Sequence, residues 1–113
     1  MKKIEIITRT ENLEAVKRVL ARNEYSGMTV MSVMGCGNQT TGKNKDFEKL
    51  NVDMNLLPRI QIMSVVWDED LDDILYELQK ELSTGSVGDG KIFVSNVEEG
   101  IRIRTGERGD KIL

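Results

Sequence analysis

Three short stretches carry residue types suited to holding an anion. The first is Thr84-Gly85-Ser86-Val87-Gly88-Asp89-Gly90-Lys91. Gly88 and Gly90 can take positive φ and turn successive backbone N–H groups inward, making an anion-sized nest. Lys91 follows immediately, where an ammonium would neutralise a phosphate. Asp89 would oppose an anion directly, so its carboxylate is expected to fasten the loop or to face a neighbour. Taken alone, a Gly-Asp-Gly turn is more often just a tight connection. The second stretch, Arg102-Ile103-Arg104-Thr105-Gly106, reads as part of a short strand from Ile101 to Arg104. Residues two apart on a strand share a face, so both guanidiniums would point one way and Ile103 inward. Such a pair clamps an oligophosphate, or else forms a solvated edge paired to Glu98, Glu99 or Glu107. The third stretch, Gly35-Cys36-Gly37-Asn38-Gln39, puts glycines where a ligand or a second chain can approach the backbone, unless it only ends a strand.

The elements that must position these groups follow from periodicity. Residues 2–9 are rich in isoleucine and read as a strand with a buried centre. Thr10 is the expected N-cap of a helix in which Leu13, Val16, Val19 and Leu20 recur at helical spacing. Residues 28–36 form a second strand and residues 59–67 a third, with Ile60, Ile62 and Val66 on one face. Asp68-Glu69-Asp70 suits the positive end of a following helix. In that helix Leu71, Ile74, Leu75, Leu78 and Leu82 form the cleanest apolar stripe of the chain, and Thr84-Gly85 stops it. Residues 91–94 make a fourth strand. The order strand, helix, strand, strand, helix, strand folds most simply as an α+β, ferredoxin-like βαββαβ sandwich, with both helices on one sheet face. The other face keeps Ile, Met and Val that an isolated subunit would leave wet, so oligomerisation is expected. Between Gly37 and Leu57 lie about 20 polar residues without periodicity, longer than most inert connections.

Composition narrows the function. The chain has 113 residues, 39% hydrophobic and 31% charged, enough for one domain with one core. Its net charge of −3 argues against nucleic acid, whose binding is driven by clustered Lys and Arg. No apolar run approaches the ~20 residues of a membrane span, and the N-terminus turns charged too early for a signal peptide. The cytosol is the expected location. With no histidine and the single Cys36, neither an internal disulfide nor the usual zinc ligand sets can form within one chain.

In order and spacing, MKKIEIITR, GMTV at 27–30, GCGNQ at 35–39, TGSVGDGKIFV at 84–94 and IRIRTGERG at 101–109 resemble the PII nitrogen-signalling proteins. The resemblance covers almost the whole chain and is most specific in its C-terminal part. It implies a homotrimer of single PII-like domains, residues 1–113, with ATP or ADP bound between subunits and Mg²⁺ accompanying ATP. A T-loop at about 37–57, a B-loop at about 84–91 and a C-loop at about 98–109 would enclose the nucleotide. By the match Gly88, Asp89, Gly90 and Lys91 form the B-loop, whose backbone amides and Lys91 hold phosphates, and Arg102 and Arg104 reach them across the interface. Ile7, Thr29, Gly35, Cys36, Gly37 and Val65 lie where the family surrounds adenine and ribose. Gln39 matches the loop-base glutamine that joins Mg-ATP in a 2-oxoglutarate site, and no metal site intrinsic to the chain is implied. Arg59 stands where the family has a lysine for that acid, and its fork differs in reach from an ammonium.

Other departures fall in the T-loop. No tyrosine lies between Tyr25 and Tyr76, so the uridylylation site of many members is missing, and the loop carries no serine. It is about one residue longer than in the usual members, and Asn38 replaces a frequent arginine. The resemblance therefore implies a nucleotide-reading regulator that acts through its T-loop on an ammonium or other transporter, or on a nitrogen-assimilation enzyme. A transporter would recruit it to the membrane. The alternative is an ADP/ATP sensor blind to 2-oxoglutarate that controls a transporter outside nitrogen metabolism. An enzyme is disfavoured, because no nucleophile with its base is evident beside Lys91, Arg102 and Arg104. An RNA-binding module of the same topology needs sheet aromatics, and Phe93 is the only one near a central strand position. A purely structural trimer would bind no nucleotide.

Overall fold

Along residues 2–8, Ile4, Ile6 and Thr8 alternate with Lys3, Glu5 and Ile7, a period of two that an extended chain turns into two faces. The structure, a computed structural model, describes residues 1–37 and 56–113, so Asn38, Gln39 and most of the expected T-loop lie outside the described residues. The strands are β1 (Lys2–Thr8), β2 (Thr29–Gly35), β3 (Leu57–Val66) and β4 (Gly90–Asn96). The helices are α1 (Leu13–Arg22) and α2 (Leu71–Leu82). The sheet order is β2-β3-β1-β4 with every neighbouring pair antiparallel. This is the expected ferredoxin-like α+β sandwich.

Both helices cover one face. Ile4, Ile6, Ile60, Ile62 and Val66 from the central strands meet Val16, Val19 and Leu20 of α1 and Ile74, Leu78 and Leu82 of α2 in one buried cluster. Each such side chain contributes roughly 1.5–3 kcal/mol of transfer free energy. The polar members of this face are satisfied: Ser64 Oγ donates to the Gly27 carbonyl at 2.7 Å, and Thr8 Oγ1 to the Asp89 carbonyl at 2.8 Å. Where α2 begins, the Tyr25 hydroxyl donates to Asp70 at 2.5 Å and accepts the Trp67 amide at 2.9 Å. Burial, reinforced by Asp70, pushes the Tyr25 hydroxyl up to about 12.

Pairing opposite Ile7 puts Gln61 and Lys91 on the other, open face, together with Glu5, Met63 and Phe93. Among the described residues no helix is long and apolar enough to cross a membrane.

Two local expectations are corrected. Thr10 is not the cap of α1: it opens a 3-10 turn, Thr10–Asn12, preceded by extended Arg9, and no side chain caps either start. Ile101 to Arg104 is not a strand. Only an isolated bridge joins Ile101 to Arg108, and the chain between them turns, with the Gly106 amide donating to the Arg102 carbonyl at 2.7 Å. Gly106 (φ +76°) and Gly109 (φ +80°) sit in the left-handed region, which closes this turn and is cheap only for glycine. Ile103 therefore rides the turn tip at 98% exposure instead of pointing inward.

Candidate functional site

The loop from Thr84 to Gly90 owes its shape to its own carboxylate. Asp89 accepts from the Thr84 hydroxyl (2.5 Å) and from the amides of Thr84 (2.7 Å) and Gly85 (3.1 Å). These bonds, that of the Thr84 hydroxyl first, hold its carboxyl below the usual range. The expectation that Asp89 fastens the loop is met, and its negative charge is spent within the loop. From outside, Arg9 donates to the Val87 carbonyl at 3.1 Å, and Asn12 donates to Thr8 Oγ1 at 2.9 Å behind the Thr8–Asp89 bond. Arg9 and Asn12 were invisible as site-shaping residues in the sequence, because both act through a loop nearly 80 positions away.

Gly88 (φ +96°) and Gly90 (φ +113°) have the positive φ that the sequence predicts. Gly90 is also a close approach: a Cβ there would lie 2.0 Å from the Ile7 carbonyl oxygen. No other residue lets β4 begin so near the end of β1. The amides of Val87 and Gly88 have no acceptor among the described residues, which leaves N–H groups for a ligand.

Beside this loop lies a cleft of about 250 Å³. It gathers Ile7, Gly35, Cys36, Gly37, Arg59, Gly88, Gly90 and Lys91, eight of the predicted site residues, together with Val87. The strand ends explain the convergence. Ile7 stands next to the end of β1 opposite Lys91, Gly35 closes β2 opposite Leu57, and Arg59 stands opposite Val33. The Arg59 stem lies 3.8 Å from where a Gly35 Cβ would be, and its guanidinium donates to the Pro58 carbonyl at 2.8 Å. No carboxylate lines the cleft among the described residues, while two cations do. Such a lining suits a polyanion with an apolar end against Ile7 and Val87.

Thr29, Val65 and Arg102 are not in that cleft. They line a second cavity of about 670 Å³ at the opposite end of the sheet, with Met63, Ile112 and Leu113. Gly35 and Thr29 stand at the two ends of β2, roughly 20 Å apart at ~3.4 Å per residue, too far for one half to serve a ligand seated in the other. Arg102 pairs with Glu107 and donates to the Ile112 carbonyl at 3.0 Å, so one of the carboxylates named as its alternative partner does hold it. Arg104 is exposed on the turn and lines neither cavity. The two guanidiniums thus do not form a strand-borne clamp within one subunit.

The sequence profile of the family described as nitrogen regulatory protein P-II matches residues 1–107. The chain is 45% identical over 113 residues to nitrogen regulatory protein P-II 2 of Methanothermobacter thermautotrophicus, covering all of this chain and 97% of that protein. It is 40% identical over 109 residues to nitrogen regulatory protein P-II of Rhizobium meliloti, covering 96% of each. With nitrogen regulatory protein P-II of Porphyra purpurea it shares 39% identity over the full length of both.

Proposed function

The chain belongs to the nitrogen regulatory protein P-II family, and from that premise we propose that it binds ATP or ADP between copies of itself and passes the nucleotide state to a target through the segment between β2 and β3. The observation that carries this reading is the cation-and-amide cleft, lined by no carboxylate among the described residues, whose neighbouring Asp89 is turned onto its own loop. Lys91, the Gly88–Gly90 backbone and Arg59 supply positive potential for phosphates, with Ile7, Gly35, Cys36 and Gly37 against the base and sugar. Thr29, Val65, Arg102 and the turn bearing Arg104 are supplied by a neighbouring copy, since they stand at the far end of the same sheet. A homotrimer satisfies both halves and covers the open face. Mg²⁺ would enter with ATP, the metal serving to draw the phosphates together; Gln39 is the residue offered to it, and Gln39 with Arg59 to 2-oxoglutarate. The target is a transporter or a nitrogen-assimilation enzyme.

Arg59 favours a second reading beside this one. Its guanidinium is folded back on Pro58 and its stem lies beside Gly35, so a dicarboxylate would meet a different fork from the one an ammonium offers. In that reading the chain reports the ADP/ATP state alone.

Calorimetric titration of ATP and of ADP, with and without 2-oxoglutarate and Mg²⁺, tests both. ATP binding that tightens with 2-oxoglutarate makes the chain a carbon–nitrogen sensor by linkage. Binding indifferent to the acid makes it an energy-state reader. Lys91→Ala should weaken nucleotide by about tenfold, the loss of one charge-assisted hydrogen bond, with the oligomer intact. Wild-type affinity in that variant would refute the site.

A further inference from the structure

Arg102 has two partners within its own subunit, and one belongs to a segment that nothing in the cleft requires. The guanidinium donates to the Ile112 carbonyl at 3.0 Å while also pairing with Glu107, which the Thr105 hydroxyl steadies at 2.9 Å. The segment bearing Ile112, a 3-10 turn over Gly109–Ile112, is pinned at three points. The Trp67 indole N–H donates to the Asp110 carbonyl at 3.0 Å. The Gly109 amide donates to the Gly100 carbonyl at 3.0 Å. Ile112 Cδ1 fills the space over Gly100, 2.5 Å from where a Cβ would stand.

We propose that residues 109–113 are a latch that holds Arg102 in the unliganded subunit, and that nucleotide phosphates and the latch compete for this guanidinium. The inference rests on the reading that Arg102 reaches a nucleotide held by a neighbouring copy. A phosphate needs the donors of Arg102 aimed across the interface. Within the subunit two of those donors are aimed at Glu107 and Ile112, along the wall of the cavity that also holds Thr29 and Val65. A phosphate that draws the guanidinium across the interface therefore breaks the Arg102–Ile112 bond, and the anchors at Trp67 and Gly100 set how easily the segment gives way. By reciprocity, nucleotide loosens the segment as much as the segment weakens nucleotide.

The reporter is built in. Trp67 is the only tryptophan of the chain, and its N–H is one of the anchors. On the full-length protein, ATP should shift Trp67 emission to the red as the indole exchanges the Asp110 carbonyl for water. Deletion of residues 109–113 should give shifted emission without ligand, no further change on adding ATP, and ATP affinity about three- to tenfold higher by calorimetry. Trp67→Phe keeps an aromatic ring beside Tyr25 but lacks the N–H donor. It should raise affinity in the same direction, and it keeps the test open if the deletion misfolds. Calorimetric ATP binding with unmoved Trp67 emission, and with affinity unchanged or lowered in both variants, would overturn the latch and leave the nucleotide site standing. Absence of ATP binding in every form would overturn both.

Discussion

Gly90→Ala should cost more than any other single-methyl change in the chain's described glycines, and the structure says why. Gly90 sits at φ +113°, where an L side chain is strained by about 1–2 kcal/mol. Its new Cβ would lie 2.0 Å from the Ile7 carbonyl oxygen and 3.0 Å from both Ile7 C and Thr8 Cα. These are backbone atoms of a central strand, paired on its other edge to β3, so they cannot swing aside as a side-chain tip would. Displacing packed structure adds about 1–3 kcal/mol, for a total of about 2–5 kcal/mol. That is a large share of the ~5–15 kcal/mol typical of a domain. Urea unfolding at fixed protomer concentration measures it, with Gly37→Ala as the reference, since nothing among the described residues lies within 4 Å of a Cβ there and its φ is ordinary. The expected order is Gly37→Ala near neutral and Gly90→Ala several kcal/mol below it. If the two variants unfold within about 1 kcal/mol of each other, β1 and β4 do not approach at Gly90 as described.

Two further outcomes are expected. The Tyr25 hydroxyl, raised to about 12 in the fold from the ordinary 10, stays neutral there more readily than in the unfolded chain. Its contribution is therefore fully present below pH 10 and lost as pH rises through 12. It amounts to about 2–3 kcal/mol, so Tyr25→Phe should flatten that limb of the stability profile, and equal slopes would refute the burial argument. Cys36, exposed at the rim of the 250 Å³ cleft, should react with a thiol-alkylating reagent at a rate that saturating ATP lowers severalfold. An unchanged rate under conditions where calorimetry detects binding would move the ligand away from Gly35–Gly37.

What the sequence made legible was whatever local chemistry decides. The alternation at Ile4 and Ile6 and the stripe from Leu71 to Leu82 each serve one buried face, so pattern and fold agree. Gly88 and Gly90 were readable because positive φ has few other tenants. The misreading at 101–104 has a local cause too. Alternation of Ile and Arg argued for a strand, while Gly106 and Gly109 just beyond it carried the stronger signal of a chain folding back. What could not be read was anything held from a distance. The Arg9 bond to Val87, the Trp67 bond to Asp110 and the division of the predicted site between two ends of the sheet depend on register, which residue types do not reveal.

The two halves of the site constrain how the molecule must work. One copy presents Lys91 and the glycine loop at one end of its open face, and Thr29, Val65 and Arg102 at the other. A ligand needing both must join the first end of one copy to the second end of the next, a heterologous contact that ends only when a ring closes. On the proposed function, each bound ligand would stabilise such a ring by about 2.7 kcal/mol at a hundredfold excess over its dissociation constant, linking occupancy to assembly. The cleft also holds both anchors of the segment between β2 and β3: Gly35–Gly37 on one side and Arg59, just past Leu57, on the other. A nucleotide seated there touches the departure and the return of that segment together. On the proposed function, contacts at both of those anchors would carry the nucleotide state to the segment with no longer path through the core.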